Sequence, residues 1–98
     1  MTLPVAFLRA ARVEFVEAAA WYEAHGAGLG VEFIAEIQTC IRRAAEHPLT
    51  YAAVYRDARR VTAERFPYSV YFRAQAQRIV VLAVFHGSRD PAIWQRRT

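Results

Sequence analysis

The run Ile79-Val80-Val81-Leu82-Ala83-Val84-Phe85 constrains this chain more than any other segment. No polar side chain interrupts it, β-branched residues fill it, and it is far too short to span a bilayer. Arg78 to Phe85 therefore reads as a strand buried on both faces, the innermost of its sheet, ended by Gly87. Upstream, Tyr68 to Arg73 is a β-branched and aromatic strand, and Gln75-Ala76-Gln77 is short enough to be a tight connection between the two. Arg59 to Phe66 alternates: Arg59, Val61, Ala63 and Arg65 fall on one side, Arg60, Thr62, Glu64 and Phe66 on the other. That is a half-exposed strand, interrupted by Pro67. The three runs make an antiparallel meander, preceded by a loop over Tyr51 to Asp57.

The first half of the chain has a different period. From Ala10 to His25, Val13, Val16, Ala20 and Ala24 recur at steps of three and four, with Phe15, Ala19 and Tyr22 widening the stripe. Trp21 and Tyr22 read as core residues. Gly26-Ala27-Gly28-Leu29-Gly30 breaks the pattern, since glycine supplies the dihedrals that end a helix and turn the chain. A second helix runs from about Val31 to Glu46, with Phe33, Ile34, Ile37, Ile41 and Ala44 on its apolar stripe and Cys40 beside it. His47-Pro48 stops it, because a residue before proline is pushed out of the helical region. Leu3 to Leu8 suits an edge strand, and Asp90-Pro91 suits the start of a last helical turn, with Asp as N-cap and Pro at N1. The expected architecture is α+β in two layers over a single domain, residues 1–98. A short N-terminal strand and a helical hairpin precede the three-stranded meander, in the order β-α-α-β-β-β.

Composition narrows what such a domain does. With 55% hydrophobic and 22% charged residues the chain is globular rather than disordered. No spanning run and no signal peptide are visible, so the expected location is the cytoplasm. The lone Cys40 has no disulfide partner and reads as a buried small hydrophobe. Histidines at 25, 47 and 86 are scattered without ligand spacing, so neither a metal nor another cofactor is expected. All 13 basic residues are arginine, and the net charge is +4. The acids cluster in the helical half, as Glu14, Glu17, Glu23, Glu32, Glu36 and Glu46, and most arginines in the strand half. A positive surface is therefore expected on the sheet side, suited by guanidinium geometry to carboxylate or phosphate.

The order and spacing of several short motifs resemble the RelE/ParE superfamily of toxins from bacterial type II toxin–antitoxin modules. They are Glu17-Ala18-Ala19-Ala20-Trp21-Tyr22-Glu23, Gly28-Leu29-Gly30 with Phe33, and Ala45-Glu46-His47-Pro48. Arg65-Phe66-Pro67-Tyr68 with Val70-Tyr71, and Val84-Phe85-His86-Gly87-Ser88-Arg89-Asp90-Pro91 with Trp94, complete the set. The resemblance covers almost the whole chain. It implies a growth-arresting toxin neutralised by an antitoxin encoded beside it, in a hetero-oligomer. One branch of the superfamily inhibits DNA gyrase; another cuts messenger RNA on the ribosome without a metal.

For a nuclease the resemblance implies Arg60, His86 and Arg89 as catalytic groups, with Arg89 at the scissile phosphate. Base, cation and acid would all have to converge on one phosphodiester. The chain departs from the nuclease pattern at three places. Ser69 stands where nuclease members carry an arginine, Thr62 where they carry a second basic residue, and Trp94-Gln95 near their C-terminal tyrosine. The expectation is thus closer to the gyrase-inhibiting branch, with ribosome-dependent mRNA cleavage as the alternative. Arg60, Arg65, Arg73, Arg89, Trp94, Arg96 and Arg97 are the residues expected to meet target or antitoxin. Arg89-Asp90 is also a candidate local charge pair. Open sheet margins lined by arginine suit strand addition or a helix laid in a groove.

Overall fold

A computed structural model describes residues 2–98. A short strand β1 (Val5–Phe7) leads into helices α1 (Arg9–His25) and α2 (Leu29–Glu46). Strands β2 (Ala53–Tyr55), β3 (Ala58–Thr62), β4 (Tyr68–Ala74) and β5 (Ile79–His86) follow, and a single turn α3 (Ala92–Gln95) closes the chain. The expected β-α-α-β-β-β order is present, and β3-β4-β5 is the antiparallel meander. Two strands extend it. β2 lies within the stretch read as a loop, paired to β3, and β1 pairs in parallel with β5, so the sheet is mixed, five-stranded and ordered β1-β5-β4-β3-β2. β2 is only three residues long, too short for alternation to declare it. β5 is buried along Ile79–Phe85 because α1 and α2 cover one face while α3 and its aromatic neighbours cover the other.

The hairpin loop is set by two glycines. Gly28 sits at φ 88°, where a side chain would be strained, and a Cβ on Gly30 would lie 2.7 Å from the carbonyl oxygen of Ala19 on α1. Glu23 ties the turn down, accepting from the N–H groups of Gly28 and Gly30 at 2.9 Å each. Those bonds hold its carboxyl below the usual range.

α1 corrects the sequence reading. Its inner face is Ala11, Phe15, Ala18, Ala19 and Tyr22, while Val13, Val16, Ala20 and Ala24 are exposed, Val16 at 63%. Both sets recur at helical spacing, so periodicity alone does not choose between them. Ring volume does: Phe15 and Tyr22 meet Phe33 of α2 at 6.1 and 5.1 Å between centroids, filling the core that valines would leave loose. Trp21, expected in the core, is 57% exposed, and its ring stacks on His25 at 3.8 Å instead. α2 follows its expected stripe except at Ile34, which is exposed; Phe33, Ile37, Cys40, Ile41 and Ala44 are buried. Burial pushes the Cys40 thiol pKa up, which suits an inert apolar role. β3 stops at Thr62 rather than running to Phe66. Beyond it, the N–H groups of Glu64 and Arg65 turn to the Glu36 carboxylate on α2, at 2.7 and 2.8 Å.

Candidate functional site

Alternation along the strands sends the arginines to two different surfaces. On β3 and β4, Arg59, Val61, Val70 and Phe72 point toward α1 and α2, whereas Arg60, Thr62, Ser69, Tyr71 and Arg73 point to the opposite face, helix-free in the sense that α1 and α2 leave it bare and only the single turn α3 packs on part of it.

On the helix side, carboxylates neutralise Arg65, Arg89 and Arg97, while Arg59 donates to the Tyr51 carbonyl. Glu14 of α1 is half-buried and is the strongest hub. Its oxygens accept both Nη groups of Arg97 at 2.9 and 2.8 Å, Nη1 of Arg89 at 3.2 Å, and the Val84 N–H at 3.1 Å. Arg97 also donates to the Leu82 carbonyl at 3.0 Å. Arg89 lies over the Phe85 ring, 4.3 Å from its centroid. Its expected partner Asp90 does other work: Oδ1 accepts from the Ala92 N–H at 3.0 Å just ahead of α3, whose N-cap is Pro91 rather than the expected Asp90. Arg65 is forked between Glu32 and Glu36, at 3.0 and 3.2 Å. Burial raises the Glu36 pKa, but the backbone donors and guanidinium it accepts from outweigh this, and its carboxyl ends below the usual range.

The helix-free face is different. Its floor is aromatic: Tyr71 stacks on Trp94 of α3 at 3.9 Å, and Tyr55 meets the same indole edge-on at 5.9 Å. Trp94, expected to meet a partner, is 2% exposed and forms this floor. Arg60 stands opposite Tyr71 in the β3–β4 register, and Arg56 lies over the Tyr55 ring at 5.4 Å. Arg56, Arg96, Tyr55 and Gln95 line a cavity of about 370 Å³. Arg73 on this face is paired to Asp57 at 2.7 Å. Among the described residues, Arg56, Arg60 and Arg96 have no carboxylate within pairing distance. Arg56 escaped sequence reasoning. The only trace of it is a Tyr-Arg-Asp turn, where it takes a left-handed φ of 52°.

The three residues proposed for phosphodiester cleavage do not converge. Arg60 is on the helix-free face; Arg89 is held against Glu14; His86 lies beside Tyr68 on the helix side, 5.2 Å between rings. The Nδ1 atom of His86 accepts from the Ser88 N–H at 3.0 Å, so its basic nitrogen is already engaged. Tyr68 is held protonated chiefly by burial. A groove of about 240 Å³ between Trp21, Glu17, Tyr68 and Arg89 opens beside α1. No His/Cys/Asp/Glu group capable of holding a metal occurs among the described residues. No helix among them is long and apolar enough to cross a membrane.

The family described as ParE toxin of type II toxin-antitoxin system, parDE, matches residues 5–91. A solved structure described as the chromosomal ParDE TA system from P. aeruginosa superposes with a TM-score of 0.75 at 18% identity, covering 87% of this chain and 96% of that one. At that identity the likeness speaks to fold. No curated protein matches the chain.

Proposed function

We propose a function from a plain premise: this chain belongs to the ParE toxin family of type II toxin–antitoxin systems. It acts in the cytoplasm as a stoichiometric inhibitor of DNA gyrase that arrests growth, and a cognate antitoxin holds it inactive in a hetero-oligomer. The observation that supports inhibition over mRNA cleavage is the dispersal of Arg60, His86 and Arg89 over two faces of the sheet. General acid–base cleavage needs its groups within hydrogen-bond reach of one reacting phosphate. An inhibitor that works by binding needs only a surface.

The outer face of α1 suits the antitoxin. Val13, Val16, Ala20, Ala24 and the exposed Trp21 form an apolar stripe on a helix whose opposite side already fills the core. Contiguous exposed apolar surface of this kind marks protein contacts, and a partner helix with its own apolar stripe covers it in the usual ridge-and-groove manner.

The test is a supercoiling assay with purified gyrase and the purified chain. Inhibition at micromolar concentration, without degradation of transcripts in cells arrested by the chain, is the expected result. Unimpaired supercoiling alongside truncated ribosome-bound mRNAs would sink this reading.

A further inference from the structure

We infer that the helix-free face binds the phosphate backbone of duplex DNA through Arg56, Arg60 and Arg96. The choice of DNA rests on the gyrase reading, since gyrase acts while holding a duplex. The surface itself is argued from the geometry.

Three features carry it. Among the described residues, these arginines lack carboxylate partners, and Asp57, the acid at the β2–β3 turn, is occupied by Arg73 at 2.7 Å. All three surround one rigid floor. Arg60 neighbours Tyr71 across the strands, Tyr71 stacks on the buried Trp94, Trp94 meets Tyr55, and Arg56 lies over Tyr55 beside Arg96. A guanidinium packed near a fixed ring loses less freedom on forming hydrogen bonds than a free one. Thr62 and Ser69 add hydroxyl groups to the same face.

The third feature separates DNA from an acidic protein. Tight protein interfaces are built around buried apolar or aromatic anchors. Most of the large exposed hydrophobics of this chain lie elsewhere: Val5 on β1, Val13, Val16 and Trp21 on α1, Val31 and Ile34 on α2, and Leu49 before β2; Val54, on β2 beside Tyr55, is the exception. Cations and hydroxyls with no more than a lone valine beside them, rather than a cluster of apolar anchors, match a nucleic-acid backbone, whose affinity comes chiefly from phosphate neutralisation.

Fluorescence anisotropy with the purified full chain and a labelled mixed-sequence 20-base-pair DNA duplex decides the matter. Binding is expected in roughly the 10–100 µM range at 50 mM salt. Three phosphate contacts imply a log–log salt slope of about −2.7, so binding weakens about 40-fold between 50 and 200 mM. The triple variant R56A/R60A/R96A, checked for folding by circular dichroism, should lose binding; R9A/R12A, which removes two cations from α1, should retain it. Undetectable binding at 50 mM salt overturns the inference. So does equal loss in R9A/R12A, equal competition by poly-glutamate, or a tenfold preference for single-stranded RNA of the same length. A chain that inhibits gyrase but does not bind DNA refutes the inference and leaves the gyrase reading intact. DNA binding without gyrase inhibition does the reverse.

Discussion

Arg96 and Arg97 are adjacent in sequence and opposite in circumstance. Arg97 is 16% exposed and forked onto Glu14; Arg96 stands at the rim of a cavity without an acidic partner. A similar contrast separates two groups of arginines. Facing the helices, Arg65, Arg89 and Arg97 are spent on Glu32, Glu36 and Glu14. On the helix-free side, Arg56, Arg60 and Arg96 remain available. An arginine count therefore says little about a binding surface. What matters is which guanidiniums the fold has already consumed, and a carboxylate placed one helix away consumes most of those on the helix side.

The difference should appear first as stability. Glu14→Ala leaves the Val84 N–H without an acceptor and the largely buried Arg97 guanidinium without a counter-charge, holding only the Leu82 carbonyl, so we expect a loss of about 3–5 kcal/mol in urea denaturation. Arg97→Ala should cost less, because Glu14 keeps Arg89 and Val84. A Glu14 variant as stable as the parent would break the comparison outright. Glu36→Ala comes next. It orphans two backbone donors and one fork of Arg65, for an expected loss of about 2 kcal/mol by the same measurement.

A pH titration sharpens the point. The folded-state pKa of Glu36 lies below its ordinary value, so its contribution is fully present above that value and is lost as pH falls through the lowered one. Thermal stability should therefore drop below about pH 4, and Glu36→Gln should show a shallower decline. The smallest effect is expected where the arginines are free. Arg60→Ala, Arg56→Ala and Arg96→Ala should each change unfolding free energy by no more than about 0.5 kcal/mol. A large loss at any of them would mean that it supports the fold.

Much of the fold was legible because it is local. Alternation marked β3, β-branched and aromatic residues marked β4, the apolar run marked β5, and glycine and proline marked the C-terminal ends of both helices within a residue or two. The inner face of α1 was not legible, since two stripes of the same period compete and only the rings of Phe15 and Tyr22 break the tie. The site was less legible still. Glu14 lies 75 residues from Arg89 and 83 from Arg97, and no local pattern announces such pairs. Trp94 looked like a partner-facing ring because nothing in its own segment reveals Tyr71 waiting beneath it.

The hub at Glu14 also solves a problem of sheet margins. β1 accompanies β5 only over Ile79–Val81. Further along, where a neighbouring strand would normally continue the ladder, the Val84 donor goes to a glutamate and the Leu82 acceptor to an arginine. Two side chains act there as a prosthetic strand, and they blunt a ledge that would otherwise recruit stray polypeptide. A chain stripped of either one should become sticky before it becomes unfolded, forming oligomers at concentrations where the intact protein stays apart.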